Sequence, residues 1–203
     1  MTVPSWVEKE KEVLAFHKKE APGILIAACM VDLAMEKIKD LGELQGSLAG
    51  ISETEWCLPD AIQVMTGCTT GNRLLKVEKG LGRYALTMYD QKTGRGIRVA
   101  VRVDRIDAQK FPELHQFFHR TRDPRLTSDS KLRKESGKRI RDEFSGAGRS
   151  VLTWEEVVVK AIGKPPIPPV VLCADCGESF EVHQTGKTRC RCCDGDSYFH
   201  RKP

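Results

Sequence analysis

A chain of 203 residues has room for one core of about 150 residues and a small appended module. With 40% hydrophobic and 30% charged residues it has the balance of a globular protein, which argues against a disordered chain. The most apolar run, Ile24 to Met35, is interrupted by Asp32 and is too short to cross a bilayer, and a net charge of +5 is too mild to support nucleic-acid binding by itself.

In chain order, Trp6, Val7, Val13, Leu14 and His17 recur at helical spacing after Pro4, predicting an amphipathic helix that ends near Glu20. Pro22-Gly23 breaks it, and Ile26, Met30, Leu33, Ala34 and Ile38 predict a buried second helix from Ile24 to Leu41, stopped by Gly42. Leu44 to Ile51 reads as a short strand. Asp60 is placed to cap a helical turn through Met65 that ends at Gly67. Arg73 to Glu78, Arg83 to Tyr89 and Gly96 to Val103 alternate apolar and β-branched residues between glycine turns, and predict consecutive antiparallel strands. Phe111 to His119 and the basic stretch Lys131 to Phe144 read as helices. Thr153-Trp154-Glu155-Glu156 has the pattern of a capping box before a short turn, and Val157 to Ile162 either continues it or forms a strand. Pro165, Pro166, Pro168 and Pro169 exclude helix and central strand. The sequence therefore predicts an α+β domain over residues 1–164, a linker over 165–169 and a small module over 170–203, with N-terminal helices packed on an antiparallel sheet.

Eight cysteines are unevenly spread, and five lie in the module. Cys173 and Cys176, then Cys190 and Cys193, form two CxxC knuckles, each of which aims two sulfurs at one ion; four thiolates make a closed structural zinc site. Cys192 breaks the two-residue spacing and is left out of that set. Thirteen residues between the knuckles leave room for a hairpin through Phe180 to Arg189, and Gly177 lets the chain turn back. So few apolar residues lie in the module that the metal would supply most of its folding energy. The N-terminus lacks the basic start and apolar stretch of a signal peptide, so the expected location is cytoplasmic, with thiolates rather than disulfides.

The run Cys57-Leu58-Pro59-Asp60-Ala61-Ile62-Gln63-Val64-Met65-Thr66-Gly67-Cys68-Thr69 resembles the FmdE family, named for a component of formylmethanofuran dehydrogenase. That family also has a helix-ending His-x-His-x-Cys-Pro-Gly, met here by His17-Lys18-Lys19-Glu20-Ala21-Pro22-Gly23, and often a four-cysteine tail. The second histidine of the motif falls on Lys19 and its cysteine on Ala21. The resemblance implies an α+β fold akin to the catalytic domain of glyceraldehyde-phosphate dehydrogenases. It also implies a metal or active-site cleft gathering His17, Cys57, Asp60 and Cys68, without implying a molybdopterin or formylmethanofuran chemistry. The tail resembles the four-cysteine fingers of the DksA/TraR type.

On residue chemistry alone His17, Cys57 and Cys68 are zinc-type ligands, Asp60 is an acceptor for an imidazole N–H, and Cys29, in the apolar second helix, belongs to the core. Two functions of different class follow. One is a zinc-binding protein with a metal or small-molecule cleft at His17, Cys57 and Cys68, whether or not it is an enzyme. The other is a regulator whose finger, with Lys131, Arg133, Lys134, Lys138, Arg139 and Arg141, contacts nucleic acid or a protein while the cleft is vestigial. The first is favoured, nucleic acid is the disfavoured partner, and a homodimer is expected.

Overall fold

A computed structural model describes residues 5–160, 166–184 and 186–200. The chain divides into two compact units, Met1–Gly163 and Lys164–Pro203. Pro4, Ile162 and Pro165, where the sequence places a helix start, the end of a segment and the first residue of a linker, lie outside the described residues.

In the first unit, α1 (Ser5–His17) stops three residues earlier than expected. Lys18 takes a left-handed conformation, φ 66°, and donates its N–H back to the Leu14 carbonyl at 2.9 Å. Helix α2 (Pro22–Asp40) then starts on Pro22 itself, because a proline in the first turn lacks only a donor that has no helical partner there. Buried from Gly23 through Val31 and again at Leu33, Ala34 and Ile38, α2 is the axis of the domain. Helices α1 and α3 (Leu58–Thr66) pack against it, as do the sheet and α5 (Ser130–Ala147). Its leucines and isoleucines each contribute about 1.5–3 kcal/mol by burial. Trp6 of α1 meets Phe144 of α5 edge-on at 6.0 Å, closing the helical layer. The short helix α4 (Pro112–His119) packs on α5.

Among the described residues the sheet of this unit has five strands in the order β2-β1-β3-β4-β5. These are β1 (Leu48–Ser52), β2 (Leu75–Val77), β3 (Ala85–Asp90), β4 (Arg95–Val101) and β5 (Leu152–Val158). Two sequence expectations change here. The segment after Arg73 is not the first member of an antiparallel run: β2 pairs parallel with β1, with Ile51 opposite Lys76, because α3 carries the chain across between them. Thr153-Trp154-Glu155-Glu156 is no capping box but strand β5, paired antiparallel with β4 and with Trp154 opposite Val99. Alternation of Thr153, Glu155 and Val157 with Trp154, Glu156 and Val158 suits an edge strand, and the sheet overrides the local helix-start pattern.

The second unit is built on a small two-stranded pairing of β6 (Val170–Leu172) with β7 (Ser179–Glu181). The hairpin thus turns through the first cysteine knuckle, not through the segment that links the two knuckles. Gly177, at φ 75°, makes that turn and donates to the Cys173 carbonyl at 3.0 Å.

Candidate functional site

Cys57 is the centre of the site in the first unit. It sits at φ 49° and ψ −42°, and the Leu58 N–H donates to the Trp56 carbonyl across it, so Cys57 is the middle residue of a γ-turn of the rare positive-φ kind. A non-glycine residue held there stores roughly 1–3 kcal/mol of backbone strain. Pro59 immediately afterwards starts α3, so the helix begins before Asp60. Asp60 is therefore not the cap that its sequence position suggested: it lies in the first turn, and its carboxylate is turned to His17.

His17, the last residue of α1, brings Nδ1 to 2.6 Å from Asp60 Oδ2. A carboxylate only accepts, so Nδ1 carries the proton and Nε2 of the neutral ring keeps its lone pair. Both side chains are part-buried. Burial, and then the negative charge of Asp60, pushes the Cys57 thiol up to about 11, so it is a thiol and not a thiolate at neutral pH.

Gly23, at the N-terminus of α2, lies under this turn. A Cβ on Gly23 would stand 2.9 Å from Tyr84 Oη and 3.0 Å from Cys57 Sγ, so only glycine lets the three segments meet. Tyr84 donates its hydroxyl to the Gly23 carbonyl at 2.8 Å. Burial, and then Cys57, holds the phenol well above its ordinary value. Beside these groups opens a cavity of about 560 Å³. Its aromatic walls are Trp56, Tyr84, Phe117 and Phe118, with Tyr84 and Phe118 edge-to-face at 5.6 Å. Arg83, Arg98 and Arg120 supply its cations. Glu53, almost fully buried, accepts from Arg98 at 2.7 and 3.1 Å and from Arg83 at 2.6 Å. Burial pushes the Glu53 carboxyl up, but the Arg98 fork and Arg83 outweigh it and hold the group below its ordinary value.

Cys68 is not brought to this cavity. It follows the far end of α3, whose nine residues span roughly 13 Å at 1.5 Å per residue, and its buried thiol donates to the Leu48 carbonyl at 3.3 Å. His17, Cys57, Asp60 and Cys68 do not converge as a set of metal ligands. Among the described residues the one group of three or more histidine, cysteine or carboxylate ligand atoms within 4.8 Å of one another is Cys173, Cys176, Cys190 and Cys193.

That group fits a tetrahedral ion. A zinc–thiolate distance of about 2.3 Å gives a tetrahedron with sulfur–sulfur edges of roughly 3.8 Å, and Cys176 Sγ lies 3.9 Å from Cys190 Sγ. Backbone N–H groups, first that of Cys176 and then that of Cys190, bring the Cys173 thiol down to about 6. The hydrogen bond to Cys190 and the crowding of the other sulfurs drive Cys193 up to about 12. Four thiolates in one small volume repel one another, and a divalent cation at their centre removes that penalty.

The cations of the sequence's basic stretch are largely spoken for. Arg139 bonds Glu113 at 2.7 Å, Arg141 bonds Glu10 at 3.1 Å, and Lys138 stands 3.7 Å from Asp142. In the second unit Lys187 pairs with Asp194 and Arg189 with Asp175, each at 2.6 Å, while Arg191 pairs with Asp196. Among the described residues no helix is long and apolar enough to cross a membrane.

Sequence reasoning missed Gly23, Tyr84, Glu53, Trp56 and Arg120. Only two had a local signal: Gly23 follows a proline, and Trp56 adjoins Cys57.

Known proteins match this geometry along most of the chain. The sequence profile described as "FmdE, Molybdenum formylmethanofuran dehydrogenase operon" matches residues 16–160. The crystal structure of an FmdE-like protein of tungsten formylmethanofuran dehydrogenase type, from Syntrophus aciditrophicus, is similar at 33% identity with a TM-score of 0.71, covering 98% of this chain and 100% of that one. A curated protein of Archaeoglobus fulgidus named "Probable S-adenosyl-L-methionine-binding protein" is 28% identical over 194 residues, 90% of this chain. The chain spans about half the length of that relative, 51%.

Proposed function

The chain belongs to the FmdE family, and on that premise we propose that its first domain, residues 1–164, is a small-molecule-binding domain, joined through the linker at 165–169 to a structural zinc finger at 170–203. The observation that carries the reading is the cavity at Cys57, where a strained turn, the N-terminus of α2 and an aromatic wall meet. Strain concentrated at one cysteine beside an open cavity is a mark of a functional position. Cys57 presents its thiol to the ligand. Asp60 fixes the tautomer of His17, leaving Nε2 as an acceptor or a base. Cys68 secures the far end of α3 against β1 and takes no part in ligand contact.

An organic ligand is favoured over a second metal because the nitrogen and sulfur donors do not converge as a set. In the finger the ion is zinc: an all-thiolate tetrahedral site is closed, so it braces the fold and does not activate water. S-adenosylmethionine, in the name of the Archaeoglobus fulgidus relative, is the first compound to test.

The experiment is a thermal-shift screen of the purified full chain against a panel of small metabolites including S-adenosylmethionine, with iodoacetamide labelling of Cys57 followed by mass spectrometry. A compound that raises the melting temperature and slows labelling of Cys57 supports the reading. A panel in which nothing does either rejects it.

A further inference from the structure

We infer that the ligand of the Cys57 cavity is a planar heteroaromatic compound bearing an anionic group, with Trp56 as its stacking surface and Arg120 as its counter-charge. The inference rests on the reading of that cavity as a ligand site.

Trp56 is the first ground for it. A tryptophan is normally among the most buried residues, and Trp6 of the same domain is 7% exposed, yet Trp56 is 67% exposed at the edge of the cavity. It adjoins the strained Cys57, so the γ-turn sets the direction in which the indole leaves the chain. Phe117 and Phe118, edge-to-face at 5.2 Å, supply further aromatic wall. Aromatic faces of this kind favour a flat π-system.

Charge is the second. Of the three arginines at the cavity, Arg83 and Arg98 share the Glu53 carboxylate, and Arg98 also bonds Glu155 at 3.1 Å. Two guanidinium groups are thus matched by two carboxylates. Among the described residues the Arg120 side chain has no such partner, and no carboxylate lines the cavity. One positive charge is left over at the mouth, on an exposed residue. Nearby, His17 and Asp60 satisfy each other and Cys57 is neutral.

Backbone strain is the third. Among the described residues the non-glycine residues with positive φ are Lys18, Cys57, Arg73 and Arg120, and two of these four, from separate segments, line this one cavity. Arg120 caps α4 at φ 55°, a conformation that a glycine would adopt without cost. An arginine kept there, without an ion pair, directs its cation at the cavity mouth.

The test compares adenosine with AMP, which share a base and differ in charge, by isothermal titration of the full chain at low salt. AMP is expected to bind about tenfold more tightly than adenosine, the scale of one charge-assisted contact. Arg120→Gln should bring AMP to the level of adenosine while leaving adenosine unchanged, and Arg120→Lys should keep part of the preference. Trp56→Ala should weaken both by about tenfold, with Trp56→Phe retaining most of the affinity. Equal binding of the two compounds, an unchanged preference in Arg120→Gln, or unchanged affinities in Trp56→Ala would each overturn the inference. If neither compound binds while other members of the metabolite panel protect Cys57, the ligand class is wrong and the cavity reading stands. If nothing binds at all, both fall.

Discussion

His17 Nδ1 and Asp60 Oδ2 lie 2.6 Å apart across a sequence separation of 43 residues, so one hydrogen bond ties the last residue of α1 to the first turn of α3. The sequence places both residues in one cleft, but as ligands of a common ion. They are bonded to each other instead.

Asp60→Ala should release the imidazole from its Nδ1–H tautomer. Because both side chains are part-exposed, the cost in stability should be small, about 1 kcal/mol or less. Nitrogen chemical shifts of His17 in the two proteins check the tautomer, and urea midpoints check the cost. A His17 spectrum indifferent to Asp60→Ala would remove the orienting role.

Cys57 should resist alkylation at neutral pH and gain reactivity as pH rises toward about 11. A thiol raised from an ordinary value near 9 to about 11 is held protonated by the fold, so its contribution to stability is complete below pH 9 and is lost as pH rises to about 11. Buried Cys29, pushed up to about 12, acts in the same direction. Urea midpoints should fall over this window and fall less in Cys57→Ser; an equal fall in both would assign the loss elsewhere.

Metal analysis of the purified chain should find about one zinc per molecule, held by Cys173, Cys176, Cys190 and Cys193. Cys173→Ser or Cys190→Ser should lower that content and unfold the finger, whose Val170 and Leu172 are 59% and 70% exposed and offer it no apolar core. Cys192→Ser should leave the metal in place. The first unit, with its own core, should keep its melting transition when a chelator strips the ion.

Gly23→Ala introduces a methyl group 2.9 Å from Tyr84 Oη and 3.0 Å from Cys57 Sγ. Overpacking of this kind should cost about 1–3 kcal/mol and displace the Tyr84 hydroxyl from the Gly23 carbonyl. Gly137→Ala, whose new atom would stand 3.9 Å from Pro22, is the control and should be neutral or slightly stabilising in α5. Urea midpoints of the two variants give the comparison.

What could be read from the sequence was local. The two knuckles needed only their own spacing, and their four sulfurs do come together. The second helix announced itself by its apolar period and is the buried axis. What failed was decided by distant neighbours. Thr153 to Glu156 resembles a helix start until β4 is beside it, and Asp60 resembles a cap until Pro59 moves the start of the helix upstream. Cys57 and Cys68 look paired in one motif, yet a rigid helix separates them. Arg120 and Tyr84 carry no motif at all; their roles exist only where four segments of chain meet.

That meeting has a consequence for the order of folding. Tyr84 reaches Gly23 across 61 positions and His17 reaches Asp60 across 43, so each contact closes a long loop before it can contribute. In the finger, Cys176 meets Cys190 across only 14. The cavity therefore belongs among the late contacts of the first domain: Gly23→Ala should accelerate unfolding while leaving the refolding rate nearly unchanged in stopped-flow measurements. Newly made chain would close its finger on a metal ion independently of whether the cavity behind Cys57 had yet taken shape.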